Sequence, residues 1–536
     1  MKFFNTAGPV NRPQHYKVDP LHRWNLDEIL SLIDQEKYFI LHAPRQTGKT
    51  SSMLALQDYL NQEGKYFALY ANFEMGQASR NDVKSALKAI VTELLNNMRL
   101  LLNSDFDYQS GLELFSQVEA ENGLNAILTY ISESVDKPVV LMIDEIDSLV
   151  GDTLISVLRQ LRAGYTKRPL SFPSSVILCG VRDIKDYRIH TSGQDIITGG
   201  SAFNIKAESL RLGNFSKEDV INLYSQHTTE TGQKFEESCY DLIMDYTDGQ
   251  PWLVNALAYE VTYNIKENRD PTVTITPQLL EIARERLILS RQTHLDQLAD
   301  KLKEDRVRRV ILPMITGDQT KTDKDDKEYC LDLGLIKKTD EGFEIANQIY
   351  KEILPRELSS EHQDNFLSMF RPVWINPDGS INVKTLLTLF KDFWNENTGI
   401  WGSNIAGYQE AAPQLITQAF LQRVANGKGF ISREYGLSRK RTDLMLKWQY
   451  EKEGQLVIQN VVMELKIIHQ KLNYQKVLNE AIIQTANYAK ICGVKQANIL
   501  IFDRDKSQNW SADEANEVIE HDGISLEIWK LGNSEW

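Results

Sequence analysis

Residues 38–52 read YFILHAPRQTGKTSS. An apolar, strand-like run meets a short loop, and a helical pattern, SSMLALQDYLNQEG, follows at once. No other stretch constrains the fold as tightly. A strand that turns through a glycine loop into a helix presents free backbone amides at the helix N-terminus, and these cradle phosphate. The loop fits GxxxxGK[ST] with Ala43 at the first glycine. Ala43, Arg45, Gln46, Thr47, Gly48, Lys49, Thr50 and Ser51 are therefore candidate nucleotide-binding residues. Lys49 would reach the β- and γ-phosphates, and Thr50 would hold Mg²⁺. Alanine at position 43 matters only if that position needs a positive φ, which alanine resists. The alternative is a chance GKT in a turn, and the flanking strand and helix argue against it.

A second buried strand, VVLMIDEID at 139–147, ends in two acids. At a strand's C-terminal edge Asp144 can bind Mg²⁺, and Glu145 can orient the attacking water. YFILH (38–42), KYFALYANF (65–73), KPVVLMID (137–144) and SSVILCGV (174–181) alternate with helical patterns. Apolar strands separated by helices predict a parallel sheet covered on both faces, an α/β architecture. Residues 216–310 read as helices. Residues 306–356 read as helix, helix, hairpin, the plan of a winged helix. Residues 357–405 read as a helical connector, and a fresh α/β pattern starts near 406. The expected division is a P-loop domain at 1–215, a helical lid at 216–305, a winged helix at 306–356, a connector at 357–404 and a second α/β domain at 405–536.

Four cysteines lie far apart, which argues against a disulfide framework or zinc site and favours a reducing cytosol. No apolar run approaches bilayer length, so no membrane partner is expected, and the N-terminus has no signal-peptide core. The expected location is cytoplasmic. The formal net charge is −14, so any nucleic-acid contact must come from a local basic surface.

The loop, the DE strand and the helical lid resemble an AAA-like ATPase of the signal-transducing and archaeal-ATPase branch, over roughly residues 1–355. TDGQPWLVNAL (247–257) resembles that branch's GxP element, with Gly249 and Pro251 in place. The resemblance implies that Pro251 lies by the adenine and couples nucleotide state to lid position. It also makes Arg182, in VRDI, a candidate sensor, with an ordinary surface arginine as the alternative. Arg159 or Arg162 is a candidate arginine finger toward a neighbouring subunit in a homo-oligomer. The mixed charges of DQTKTDKDDKE suit the winged helix to packing between domains better than to DNA.

VVMELKIIH (461–469) sets two charges in an apolar strand. Side chains alternate across a strand, so Glu464 and Lys466 share a face with Val462 and Ile468. Val461, Met463, Leu465 and Ile467 fill the other, which predicts a central, covered strand. A buried charged pair without further partners costs several kcal/mol, roughly, and a metal ion or a phosphate reverses that. The alternative is an exposed pair on an edge strand. RTDLML (441–446) is another strand candidate, with Asp443 lying 21 residues before Glu464. Two adjacent antiparallel strands would bring the two carboxylates together.

Asp…Glu-x-Lys resembles the PD-(D/E)XK nuclease superfamily, over residues 405–505. The resemblance implies a restriction-endonuclease-like domain in which Asp443, Glu464 and the main-chain carbonyl of Leu465 bind Mg²⁺ and Lys466 positions or activates the attacking water. Gln484 and Tyr488, at i and i+4 on the helix after the ELK strand, match a supporting QxxxY helix. Glu410 matches the first-helix glutamate. Residues 421–447 carry seven basic residues against two acidic ones, whereas the tail 503–536 carries nine acids against three bases. Positive charge gathered around the candidate metal site suits a phosphodiester.

These readings predict an ATP-binding and ATP-hydrolysing chain, with ATP and Mg²⁺ as cofactors, that regulates its own Mg²⁺-dependent nuclease. The expected partner is nucleic acid, DNA above RNA. The alternative is a nucleotide-dependent switch whose C-terminal domain binds nucleic acid or a protein without cutting.

Overall fold

The computed structural model describes residues 2–10, 13–182, 188–190, 196–198, 203–290, 295, 300–316, 322–340, 342–354, 373–403, 417, 420, 421, 424, 429–434, 443–452, 455–468, 473–503, 510 and 516–531. The chain divides into two compact units, Met1–Leu287 with Leu331–Ile336 and Ile288–Cys330 with Lys337–Trp536.

The first unit is built on a five-stranded sheet: β1 (Tyr38–His42), β2 (Phe67–Asn72), β3 (Val139–Asp144), β4 (Ser175–Gly180) and β5 (Lys206–Arg211). The order is β2-β3-β4-β1-β5 and every pair is parallel. β3 and β4 are buried at every position, which is why both read as unbroken apolar runs. Their alternate side chains feed two cores. Tyr38, Ile40, Leu141, Ile143, Val176 and Leu178 pack under helices α3 (Val83–Leu102), α5 (Ala120–Glu133) and α6 (Gly151–Gly164). Phe39, Leu41, Val140, Met142, Ile177 and Cys179 pack under α1 (Leu26–Asp34) and α2 (Lys49–Glu63). A fourth helix, α4 (Tyr108–Gln117), joins the α3–α5 layer. β5 was not among the expected strands. It is an edge strand, and its sequence KAESLR lacks the apolar run that marks the buried four.

The helical layer that follows holds α7 (Lys217–Thr231), α8 (Ser238–Thr247), α9 (Pro251–Tyr259) and α10 (Pro277–Leu289). Ser216 and Asp219 form a capping box at the start of α7. Pro251 is the first residue of α9, where its missing N–H costs nothing.

Next come α11 (Asp305–Thr316), α12 (Lys324–Asp332) and a two-stranded sheet of β6 (Ile336–Thr339) and β7 (Gly342–Ile345). Arg309 of α11 is ion-paired with Asp326 of α12 at 2.9 Å. That cation is already matched inside the module.

The C-terminal sheet is mixed. Its strands are β8 (Gly429–Glu434), β9 (Asp443–Lys452), β10 (Gln455–Ile468), β11 (Gln496–Asp503), β12 (Glu517–His521) and β13 (Ile524–Leu531), in the order β8-β9-β10-β11-β13-β12. β8, β9 and β10 are antiparallel neighbours, and β10, β11 and β13 are parallel. The expected pattern of helix, strand, strand, helix, strand, strand is two strands short of this sheet of six. β10 is central and covered on both faces. Val461, Met463 and Leu465 join a core with Phe390 and Trp394 of helix α13 (Val383–Ser403). Val462 and Ile468 join the opposite core, under α14 (Tyr474–Ile491). α13 falls in the stretch read as a connector, and its aromatic face is part of this domain's core.

Candidate functional site

The phosphate loop leaves β1 at Ala43 and enters α2 at Lys49. Positive φ angles fall on Gln46 (57°) and Gly48 (90°), the latter being the N-cap of α2. Ala43 is not among the positive-φ residues and is fully buried, so a methyl group is accommodated at the first motif position. Lys49 is 5% exposed, and its ammonium donates to the carbonyls of Ala43 at 3.0 Å and Pro44 at 3.1 Å. The Thr47 hydroxyl donates to the Pro44 carbonyl at 2.8 Å. Arg45 and Gln46 are exposed at the loop's tip, and Ser51 Oγ accepts from the Val10 amide at 3.0 Å.

Asp144 closes β3 with no exposed surface. Its carboxylate accepts from Thr50 Oγ1 at 2.6 Å, the Tyr70 hydroxyl at 3.0 Å and the Glu145 amide at 2.9 Å, and the Cys179 thiol bonds it as well. Thr50 and Asp144 together offer hard oxygens of the kind Mg²⁺ prefers, beside a loop suited to phosphate. That donor set fits the cation. Among the described residues no group of three or more His, Cys, Asp or Glu side chains converges as a metal centre.

Glu145 stands in the left-handed region at φ 52°, a conformation that costs a non-glycine residue about 1 kcal/mol or more. Burial pushes its carboxyl above the ordinary range, and the neighbouring Asp147 adds to this, while Lys49 opposes it. Burial also raises the Tyr70 phenol, with the Asp144 charge reinforcing it. The sequence reading missed Tyr70. Its signal is a hydroxyl inside an otherwise apolar strand beside the acid-bearing one.

A family model for the AAA-like domain matches residues 27–355. The chain belongs to this AAA-like family. ATP binding at the P-loop follows from that membership. Solved structures are similar to it as well. A Walker-type ATPase of Pyrococcus abyssi is 15% identical, with a TM-score of 0.42 over 66% of this chain and 99% of that one. Cdc6p from Pyrobaculum aerophilum is 16% identical, with a TM-score of 0.36 over 66% and 97%. The Thermotoga maritima RuvB Holliday junction branch migration motor is 14% identical, with a TM-score of 0.33 over 61% and 93%. No curated protein matches the chain.

In this AAA-like unit β4 lies between the loop strand and the acid strand. The Gly180 carbonyl accepts from the Ala43 amide at 3.2 Å, and the Val181 amide donates to Asp147 at 3.2 Å. Arg182 follows directly and is ion-paired with Asp332 at 3.5 Å, both side chains being largely buried. Arg159 and Arg162 are exposed on α6. Pro251 is buried at the start of α9. The residue before it, Gln250, bonds the phosphate loop, donating to the Gln46 carbonyl at 3.4 Å. No helix among the described residues is long and apolar enough to cross a membrane.

The second candidate site lies on β9 and β10. Asp443 and Glu464 are direct cross-strand partners. Directly opposed register positions share one face of a sheet. Lys466 stands two residues along β10 on that face, which is the face covered by α14. Glu464 is 1% exposed and is ion-paired with Lys466, whose ammonium also donates to Gln484 Oε1 at 3.1 Å. Tyr488 is buried one turn further along α14. Leu465 faces the opposite core, so only its main chain can join the site. Glu410 lies outside the described residues, as do Arg423, Lys428, Arg439, Lys440 and Arg441 of the basic stretch.

Proposed function

We propose that the chain is an ATP-regulated, Mg²⁺-dependent nuclease, with ATP bound and hydrolysed in the AAA-like unit and a phosphodiester, DNA in the first instance, cut at the C-terminal sheet. The observation that carries this reading is the register of β9 on β10. It sets Asp443 directly across from Glu464, with Lys466 two residues on and tethered to Gln484. Two carboxylates on opposed register positions would repel, and a divalent cation between them would relieve the repulsion. Their oxygens, with the Leu465 carbonyl, are the donors that would hold Mg²⁺. When bound, that ion would neutralise phosphodiester charge and make water a stronger nucleophile at neutral pH. Lys466 would orient the attacking water, and Gln484 would keep the ammonium from swinging away. In the AAA-like unit Thr50 and Asp144 would hold the nucleotide's Mg²⁺, Lys49 would move from the loop carbonyls to the phosphates, and Glu145 would orient water for hydrolysis. A winged helix at 306–356 would relay lid position to the nuclease.

The test is plasmid DNA with the purified full chain and Mg²⁺, with and without ATP. Lys466→Ala should abolish cutting, and Lys49→Ala should change its response to ATP. Equal cutting by wild type and both variants would sink the proposal. Saturable DNA binding that ignores Mg²⁺ and leads to no cutting would favour the nucleotide switch instead.

A further inference from the structure

Two consecutive carbonyls of the phosphate loop are each held by a side chain from outside the loop. The Thr47 carbonyl accepts from Arg23 Nη1, and the Gln46 carbonyl accepts from Gln250 Nε2. In a trans peptide unit the C=O and the following N–H point in opposite directions. Fixing the Gln46 carbonyl therefore fixes the direction of the Thr47 N–H, and fixing the Thr47 carbonyl fixes that of Gly48. Those amides belong to the nest that receives phosphate.

Both anchors lead to the lid. Arg23 also donates through Nη2 to the Gly213 carbonyl, and its guanidinium carbon lies 4.9 Å from the centre of the Phe215 ring. Gly213–Phe215 is the segment between β5 and α7. Phe215 in turn is bonded to the GxP element: its amide donates to the Gly249 carbonyl at 2.8 Å, and a Cβ added to Gly249 would lie 2.0 Å from the Phe215 carbonyl oxygen. Gln250 follows, and its Oε1 caps α9 through the Leu253 amide at 2.6 Å. The contacts close into a ring, from the loop to Arg23, to the lid hinge, to Gln250 and back to the loop. Arg23 also sits hard against Gly48, where a Cβ would come within 2.7 Å of Nη1.

We infer that Arg23 and Gln250 are positioning residues that orient the phosphate-binding amides and tie that orientation to the lid hinge. The inference rests on the nucleotide-binding reading of the loop and adds a route by which occupancy and lid position act on each other. Linkage makes the effect reciprocal: a lid that pulls on Phe215 or Gln250 weakens nucleotide binding, and bound nucleotide holds the lid. Substrate contact is not required of either residue.

The experiment measures ADP and ATP affinity by displacement of a fluorescent nucleotide from the full chain, together with limited proteolysis of the 213–250 region. Lys49→Ala serves as the binding-deficient control. Arg23→Ala should weaken binding by about tenfold or more, the usual scale for a lost charged hydrogen bond. Gln250→Ala should weaken it by several-fold. In both variants nucleotide should no longer protect the 213–250 region as it does in the wild type. Methylguanidine should restore part of the affinity of Arg23→Ala and none of that of Gln250→Ala. Arg23→Lys, which keeps the charge and loses the two-pronged grip, should fall between. The losses in the double variant should not multiply, because both act on neighbouring peptides. If Arg23→Ala fails to fold, Gln250→Ala and Arg23→Lys carry the test. Wild-type affinity and protection in the folded variants, with binding lost in Lys49→Ala, would overturn the inference alone. Absence of nucleotide binding by the wild type would overturn the nucleotide reading and the inference with it.

Discussion

The Thr50 hydroxyl donates to Asp144 Oδ2 at 2.6 Å, joining residues 94 positions apart in sequence. The first turn of α2 and the last residue of β3 thereby present one hydroxyl and one carboxylate side by side. Two hard oxygens in that position should bring a cation onto the phosphates. Thr50→Val keeps the branched shape and removes the hydroxyl. We expect ATP affinity in Mg²⁺ to fall about tenfold while affinity in EDTA stays near wild type. Calorimetric titration under the two conditions checks this, and equal losses in both would disconnect Thr50 from the cation.

Glu145 is raised above the ordinary glutamate range by burial first and by Asp147 second. Its folded pKa therefore exceeds its unfolded one. The stability tied to this group is complete below the ordinary range and is lost as pH rises through the folded value. Glu145→Gln should accordingly melt higher than wild type at pH 8 and show no such advantage in acid. Hydrolysis should behave in the opposite sense. A carboxylate that orients water must be ionised, so wild-type phosphate release should fall as pH drops through a value above the ordinary glutamate range. Glu145→Gln should lose about 10²-fold or more in kcat and retain nucleotide binding. Thermal melts and phosphate release across pH check both halves.

Gly249 has φ 68°, and a methyl group there would lie 2.0 Å from the Phe215 carbonyl oxygen. Backbone cannot yield as a side-chain tip can. Gly249→Ala should cost at least about 2 kcal/mol and loosen the start of α7. A melting temperature within a degree of wild type would mean that the hinge tolerates displacement.

The N-terminal architecture was legible because buried parallel strands advertise themselves. Val139–Asp144 and Ser175–Gly180 are apolar at nearly every position, and the glycine loop sits between a strand and a helix. The edge strand Lys206–Arg211 lacked that signature. Tyr70 left only a weak trace, a hydroxyl in an apolar strand, and Arg23 and Gln250 left none: each acts on a partner that only the fold supplies. In the C-terminal domain the alternation of VVMELKII foretold which side chains share a face. The pairing of Asp443 with Glu464 depended on the register of a hairpin, which sequence spacing allows but does not dictate. α13 read as a connector because a long amphipathic helix does not say which surface it will cover.

Glu464 is buried beside Lys466, and two readings of that pair make opposite predictions. If the pair is only structural, removing the lysine strands a buried charge at a cost of about 3–5 kcal/mol, and Mg²⁺ changes nothing. If Glu464 and Asp443 form a cation site, the lysine competes with the cation for the same carboxylate. Wild type should then melt higher in Mg²⁺ than in EDTA. Lys466→Met should melt well below wild type in EDTA and gain more from Mg²⁺ than wild type does, because no ammonium must be displaced. Glu464→Gln should abolish the Mg²⁺ effect, since an amide is a far weaker ligand for a hard cation than a carboxylate. Thermal melts of the three proteins at matched ionic strength separate the readings without any substrate. A Lys466→Met protein whose melting is indifferent to Mg²⁺ would leave the C-terminal sheet without its metal site, whatever the AAA-like unit does with ATP.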